Sequence, residues 1–445
     1  MSLAWQYFSR SGPKVIPIRA RTQEGIYHAM RILHVSPLYY PCLGGAELHM
    51  KEMSEGLAAR GHEVTVLTAN IRSIWSLWDA KPADLPEVES HNGVTIVRLQ
   101  PDGGALGKLI RQCWNMPGGY RGFNWLLSSS GLDLFMQGPR TFGVIPYLLS
   151  SNADVVASMN WYWPLGHYCH LARRLKPFKL VGIPLFHTAE DWCQRDIYRR
   201  MLRGCDAVVT NTEYEADFAR RHNAQNVQAV GVGIHPADFE KRDGRVLREA
   251  YHIGHHPVVG FVGRPTPNKG ITTVMAAMRQ VWKTNSEVRL LIAGPATPSS
   301  MPDALRLHEL TTLERSRVIQ ICDFKDADKA SIFDALDVFV LPSVGESFGI
   351  AYLEAWMCGK PVIGADIGPT RDVIAEGVDG LLTKPDDPAD LAVKLLELLS
   401  DPEKRKRMGQ NGRIKTLERF TWDRITEKME HIYRNVIEET TKPRR

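Results

Sequence analysis

Short apolar, β-branched runs alternate with stretches of helical spacing, and the chain runs through this pattern twice. In the first half the runs are Ile32–Val35, Val64–Leu67, Val94–Leu99, Asp154–Ala157, Leu180–Phe186 and Ala207–Thr210. In the second they are Val258–Val262, Val288–Ala293, Val318–Cys322, Val338–Leu341, Pro361–Gly364 and Gly380–Thr383. Continuous apolar runs of this length are strands buried on both faces, and their alternation with helices predicts parallel sheets covered by helices. The α/β class therefore follows from periodicity alone. A chain of 445 residues also fits two domains, at ~100–200 residues each.

The boundaries follow the same pattern. Residues 1–29 carry Arg10, Lys14, Arg19 and Arg21 with no clear period and read as a flexible basic extension. The first domain is expected over 30–235 and the second over 250–418. The polar stretch from Val232 to Pro257, with Pro236, Gly244 and Gly254, is the expected linker. From Trp422 to Ile437 helix spacing returns, with Trp422, Ile425, Met429, Ile432 and Val436 on one apolar stripe. This predicts a last helix over about 420–440. The charged run Glu403–Arg407 before it reads as a solvated helix face. Between Gly103 and Ser151, aromatic and leucine residues mix with Lys108, Arg111, Arg121 and Arg140. Two readings stand there: helices packed on the first sheet, or a surface for an acceptor, including one carried at a membrane interface.

Seven scattered cysteines form no CxxC pair, which argues against a disulfide framework or a structural zinc site and suits a reducing compartment. No apolar run reaches the ~20 residues of a bilayer span, and the N-terminus lacks a signal-peptide core. A cytoplasmic protein is expected, with contact at the inner face of the membrane left open. A net charge of +5 does not make a nucleic-acid binder.

Four segments carry chemistry. The most specific is Leu341-Pro-Ser-Val-Gly-Glu-Ser-Phe-Gly-Ile-Ala-Tyr-Leu-Glu-Ala355, a strand end, a loop and a helix beginning near Phe348. Ligands of open α/β sheets bind outside the C-terminal strand ends, and a helix start offers free N–H groups. Glu346 in the loop and Glu354 two turns down the helix could each hold a diol through paired hydrogen bonds. The second is Gly260-Phe-Val-Gly-Arg-Pro-Thr-Pro-Asn-Lys-Gly270, which brings Gly263, Arg264 and Lys269 to a strand mouth. Two cations there can neutralise a departing diphosphate. The third, Ser36 to Glu47, contains Gly44 and Gly45, which permit close backbone approach. There is no GxGxxG and no Walker loop. The fourth is Phe186-His187-Thr188 at a strand end. Taken singly, each segment also has a plain structural reading: a solvated helix glutamate, a surface turn, a tight turn, a core histidine.

Together and in this order, the segments resemble those of the family 4 retaining glycosyltransferases (glycosyl transferases group 1) of the GT-B fold, from Met30 to about Ile437. The string PSxxESFGxxxLEAxxxGxPVI, with its E-x7-E, is highly specific, and the Gly-Gly loop is weaker. The resemblance implies two Rossmann-like domains with an interdomain cleft and a C-terminal crossover helix. It implies transfer of a sugar from a nucleotide-diphosphate sugar, UDP- or GDP-linked, to a hydroxyl acceptor with retention. No cofactor and no metal are implied. The acceptor is a glycan, a lipid-linked or a small molecule, with cell-envelope glycan assembly the common case. By residue, Arg264 and Lys269 resemble the diphosphate grip, Glu354 the ribose holder and Glu346 the group meeting the transferred sugar. Ser347, Phe348 and Gly349 resemble the backbone that assists it, alongside Gly263. His187 resembles the active-site histidine, and Gly44 and Gly45 the loop closing over donor and acceptor. One departure stands out: where the family often has Gly-Gly, this chain has Asp366-Ile-Gly368-Pro369-Thr, and Pro369 removes a backbone donor.

The expected mechanism is front-face transfer without a protein nucleophile. Three alternatives stand beside it: an epimerase of the same fold, a glycoside hydrolase, and a non-catalytic nucleotide-sugar binding protein. For a hydrolase, helical spacing would put the backbones of Glu346 and Glu354 ~12 Å apart at 1.5 Å per residue, a gap that side chains could close in part. That compares with ~5 Å for retaining and ~6.5–9.5 Å for inverting carboxyl pairs. The triplet Asp326-Ala-Asp328 is expected to cap a helix rather than bind a metal.

Overall fold

The computed structural model describes residues 20–22, 25–42, 44–72, 83–101, 141, 143–186, 191–295 and 310–439. The strands are β1 (Ala20–Thr22), β2 (Gly25–Tyr27), β3 (Arg31–Val35), β4 (Glu63–Ala69), β5 (Val88–His91), β6 (Val94–Leu99), β7 (Val155–Met159), β8 (Leu180–Ile183), β9 (Ala207–Thr210) and β10 (Val227–Ala229) in the first half. The second half has β11 (Val258–Val262), β12 (Arg289–Gly294), β13 (Val318–Cys322), β14 (Val338–Leu341), β15 (Val362–Ala365) and β16 (Gly380–Thr383). The helices of the first half are α1 (Gly45–Ala59), α2 (Val144–Ser150), α3 (Leu165–Leu175), α4 (Asp196–Arg203) and α5 (Glu213–Arg221). Then come α6 (Gly244–Ala250), α7 (Ile271–Thr284), α8 (Thr312–Arg315), α9 (Lys329–Asp334), α10 (Ile350–Met357), α11 (Gly368–Val373), α12 (Pro388–Ser400), α13 (Pro402–Arg419) and α14 (Trp422–Glu438).

Two sheets result. The first runs β10-β9-β8-β7-β3-β4-β6-β5 and is parallel except for β5. The second runs β13-β12-β11-β14-β15-β16 and is parallel throughout. In each sheet the first strand of its doubly wound core (β3, β11) lies inside, and the order runs outward from it in both directions. Such a reversal opens a crevice at the C-terminal strand ends. The loops after β3, β11 and β14 are three of the four chemistry-bearing segments.

Each expected strand is present, most within one residue of its expected ends. The run expected to reach Phe186 stops at Ile183, because Pro184 has no N–H to donate and Leu185 takes a left-handed φ of 54°. Edge strands β5 and β10 carry too few buried residues to announce themselves. Within the N-terminal stretch expected to be unstructured, β1 and β2 pair as an antiparallel hairpin.

The expected linker is packed rather than free-standing. Val232, Ile234, Phe239 and Ile253 are buried, and α6 docks on the second half. The Gly244 N–H donates to Asp334 at 2.9 Å and Arg248 binds the Ala335 carbonyl and the Asp337 carboxylate. A Cβ on Gly244 would stand 2.5 Å from the Asp334 backbone, so glycine is required for this approach. The halves are crossed twice, side by side: the Ile234 N–H donates to Phe420 O at 3.0 Å, and Trp422 N–H returns to Ile234 O at 3.1 Å. Thr421 caps α14, accepting from the Arg424 N–H. That helix lies on α1, and its buried Tyr433 hydroxyl meets His34 of β3 at 3.0 Å. One apolar core then runs without a break from the α1–α14 face of the first sheet through Val230, Val232 and Ile234 into the second. A separate core fills the opposite face under α2 to α5. No helix among the described residues is long and apolar enough to cross a membrane.

Candidate active site

A cavity of about 350 Å³ opens between the halves where the reversal points face each other. Its floor is built from two interlocked loops of the second half. Leaving β11, Gly263 adopts φ 146° and its N–H donates to Ala293 O at 2.8 Å. A turn at Pro267–Lys269 follows, then Gly270 with φ 81° opens α7. A Cβ on Gly270 would stand 2.4 Å from Pro342 O, so the loop after β14 passes against bare backbone. The Asn268 carbonyl accepts from the Val344 N–H and the Ser343 hydroxyl, each at 3.1 Å. This lacing fixes Lys269 against Glu346: Nζ to Oε2 is 2.7 Å, and the carboxylate is only 11% exposed. The other oxygen of Glu346 accepts from the Ser347 N–H at 3.2 Å. Arg264 is exposed at the rim and pairs with no carboxylate among the described residues.

Gly349, at φ 87°, turns the chain into α10. Its missing side chain leaves room for the Tyr352 ring, which a Cβ would meet at 2.3 Å. Tyr352 in turn donates to Leu341 O at 2.7 Å, tying the helix back to its strand. Phe348 is buried edge-on to Phe420 at 5.4 Å, so the loop is anchored on the crossing between halves. The first-turn residues Ile350 and Ala351 line the cavity.

Opposite them α1 begins. Gly45 and Ala46 line the same cavity, and a Cβ on Gly45 would meet nothing within 4 Å. The Gly44 N–H donates to the Glu47 carboxylate at 3.0 Å, which shapes the loop. Burial pushes the Glu47 carboxyl up, against that amide hydrogen bond. Two helix N-termini thus converge on one space with Arg264 and Lys269 beside them, a set of donors and positive ends matched to a diphosphate. His49, Leu185, Asn211 and Val232 complete the wall. Burial pushes His49 down to about 4, so it is a neutral group at working pH. Sequence reasoning missed these four. The only trace of His49 is its place one turn after Gly45 on the buried stripe of α1.

Glu354 is elsewhere. The helix starts at Ile350, not near Phe348, so Glu354 is one turn down and faces a second cavity of about 450 Å³. The two cavities share Ile350 as their common wall. Lys329 Nζ reaches Glu354 Oε1 at 3.2 Å. Burial pushes the Glu354 carboxyl up and Lys329 opposes it. Across this cavity His235 meets Glu52 at 2.6 Å. Asp326 pairs with Lys329 at 3.5 Å, and Asp328 makes no side-chain cap, so the expected capping role of the triplet is not met. His187 lies outside the described residues, as does most of Gly103–Ser151. The divergent segment at Asp366 is not among the residues that line the cavity. Gly368 packs under the Tyr214 ring of α5, where a Cβ would stand at 2.3 Å, and Tyr214 N–H donates to Asp372 at 2.6 Å. Among the described residues, no group of three His, Cys, Asp or Glu is placed to hold a metal ion.

Two family models match the chain. The family model for glycosyl transferases group 1 matches residues 246–415, and that for a glycosyl transferase 4-like domain matches residues 44–233. The D-inositol 3-phosphate glycosyltransferase of Streptomyces bingchenggensis is 28% identical, over 91% of this chain and 88% of that one. The same enzyme of Corynebacterium efficiens is 27% identical, over 91% and 94%. Sucrose-phosphate synthase from Thermosynechococcus elongatus superposes with a TM-score of 0.68 at 22% identity, covering 92% of this chain and 99% of that one. Anabaena Alr3699/HepE, solved with UDP-glucose, gives 0.68 at 19%, covering 91% and 100%. At these identities the solved structures speak for the fold.

Proposed function

The chain belongs to the family 4 glycosyltransferases of the GT-B fold, and from that premise we propose that it moves a sugar from a UDP- or GDP-linked donor to a hydroxyl of a phosphorylated polyol or glycan, with retention of configuration. One observation carries the reading: Arg264, Lys269 and the N-termini of α1 and α10 face a single cavity that both halves build. The curated relatives named for inositol 3-phosphate support a phosphorylated acceptor, and the UDP-glucose complex of HepE supports a UDP donor. The reaction belongs in the cytoplasm, as the cysteine usage suggests.

The donor lies along the shared wall. Its diphosphate takes the helix starts and the two cations, its sugar meets Glu346 and the neighbouring amides, and its ribose passes Ile350 to Glu354. His187 contacts the sugar from the first half. The bond from the anomeric carbon to the phosphate oxygen breaks, and the electron pair leaves with the nucleoside diphosphate. The acceptor oxygen bonds to that carbon on the same face and hands its proton to the departing phosphate. Arg264, Lys269 and the helix-end N–H groups stabilise the charge that develops. Closure of the halves excludes water, limiting hydrolysis. No metal ion takes part, so activity is expected to survive a strong chelator.

Thermal shifts with the UDP, GDP and ADP series test this. A nucleotide at ~100 times its dissociation constant adds ~2.7 kcal/mol of stability. The expected result is a shift in one series that Glu354→Ala abolishes. No shift with any nucleotide, on folded protein, would overturn the reading.

A further inference from the structure

Among the described residues that line the cavity between the halves, His49 and Asn211 are buried polar side chains without a protein partner. His49 is 4% exposed and Asn211 7%. Neither side chain hydrogen-bonds to another described residue. Nearby histidines behave differently. His34 of β3 has both ring nitrogens engaged, by Ser54 at 2.7 Å and by Tyr433 at 3.0 Å. His62 accepts from the Met30 N–H at 3.2 Å, and Glu430 stands 3.2 Å from its other nitrogen. Those two rings serve the fold. His49 completes no such network, although its ring is held in place beside Trp422, with centroids 5.4 Å apart. Trp422 is itself fixed by the crossing at Ile234.

Both residues are positioned by their elements. Gly45, Ala46 and His49 share one face of α1, at the spacing that brings successive turns together, and all three line the cavity. Asn211 follows directly on the C-terminal end of β9, where ligands of open α/β sheets bind. Its backbone N–H donates to Glu215 at 3.0 Å, and Thr212 beside it caps α5 by accepting from the Glu215 N–H at 3.3 Å. The backbone of Asn211 is thus pinned, and its side-chain amide is left to the cavity.

The cavity is therefore divided by charge. The second half supplies Arg264, Lys269 and Glu346, and the first half supplies a neutral amide and an imidazole that burial keeps uncharged at working pH. Buried polar groups left unpaired are unfavourable, so a ligand that satisfies them is favoured. An anion calls for cations, whereas a hydroxyl both donates and accepts, as do an amide and a neutral imidazole. We propose that His49 and Asn211 form a neutral subsite for the hydroxyls of a sugar or polyol ring, across the cavity from the diphosphate grip. This subsite rests on the glycosyl-transfer reading of the cleft and adds the residues that choose the hydroxylated ring. The ring belongs to the transferred sugar or to the acceptor, two sources with one chemistry.

The test is calorimetric titration of the full chain, as parent, His49→Phe and Asn211→Leu. The probes are UDP, GDP, UDP-glucose and GDP-mannose, then inositol 3-phosphate added to nucleotide-saturated protein. Each variant is expected to bind the bare nucleotide as the parent does. A loss of about three- to tenfold in affinity for the sugar conjugate, the usual effect of one neutral hydrogen bond, assigns the subsite to the transferred sugar. The same loss confined to inositol 3-phosphate assigns it to the acceptor. His49→Gln keeps a donor and an acceptor and should recover most of what His49→Phe loses. If His49→Phe does not fold, His49→Ala replaces it with the same expectation. An equal loss with the bare nucleotide, or no loss with any probe, overturns the subsite and leaves the transfer reading standing. A folded parent that binds no nucleotide overturns the transfer reading, and the subsite with it.

Discussion

Lys269 and Glu346 are 77 positions apart in the chain and 2.7 Å apart in the cleft. Either residue alone reads as a surface charge; the laced loops make them one unit. Lys269→Ala should lower the turnover number about 10²–10³-fold, the usual loss when one charge-stabilising donor is removed. Its side chain is 30% exposed, so the melting temperature should barely move. A rate loss matched by unfolding would show that the pair is structural. A second carboxyl makes a claim about pH. Burial pushes Glu215 up to about 8 from 4.5, with Asp372 adding to the rise and the Asn211 N–H opposing it. Between those values the folded state keeps a proton that the unfolded state has released. Stability should therefore fall as pH rises through that window and level off above it. Glu215→Gln removes the slope. In thermal unfolding its advantage over the parent should be small in mild acid and grow up to pH ~8; an advantage flat with pH would refute the assignment.

The elements are largely legible in the sequence. Strands such as β11 and β14 are unbroken apolar runs, and a strand buried on both faces needs little context to be recognised. The helix starts were less so. Placing α10 near Phe348 was two residues early, because Gly349 in a left-handed conformation sets the real start and sequence does not display φ. That glycine carries a prediction at this scale. Gly349→Ala must hold a side chain at φ 87° and push the Tyr352 ring, breaking its bond to Leu341. A loss of about 1–3 kcal/mol is expected in denaturant unfolding. Nucleotide affinity should fall with it, since the same turn presents the N–H groups of α10. Unchanged stability would mean that the turn relaxes freely. The linker was the least legible element. Its polarity reads as a linker and says nothing of packing, yet α6 is held through Gly244 and Arg248 by Asp334 and Asp337 of the second half, about 90 positions away.

As a whole molecule, the chain is held around the cleft by contacts between its halves. On one side run the paired crossings at Ile234 and Trp422; on the other, α5 of the first half rests on α11 of the second. The departure at Gly368-Pro369 now has a physical reason. Gly368 is needed for Tyr214, and Pro369 is buried at the start of α11, where its missing N–H costs little. Gly368→Ala should prise this contact open. Small-angle scattering should report a larger radius of gyration, and the Michaelis constant for donor should rise while each half stays folded. An unchanged radius would mean that the contact does not hold the cleft at its present width.

The sequence by itself determined the class of the fold, the buried strands of both sheets, the three loops after β3, β11 and β14 and the returning last helix. Each of these is written in local periodicity or in a contiguous motif. Only the tertiary structure decided what those pieces face. It brought the start of α1 opposite the start of α10, gave Glu354 a chamber of its own beside Lys329 and packed the Gly368 segment against Tyr214 of the first half. These arrangements depend on pairings between residues far apart in the chain, made where two sheets and two crossings bring them together, and no local pattern of side chains encodes such distances.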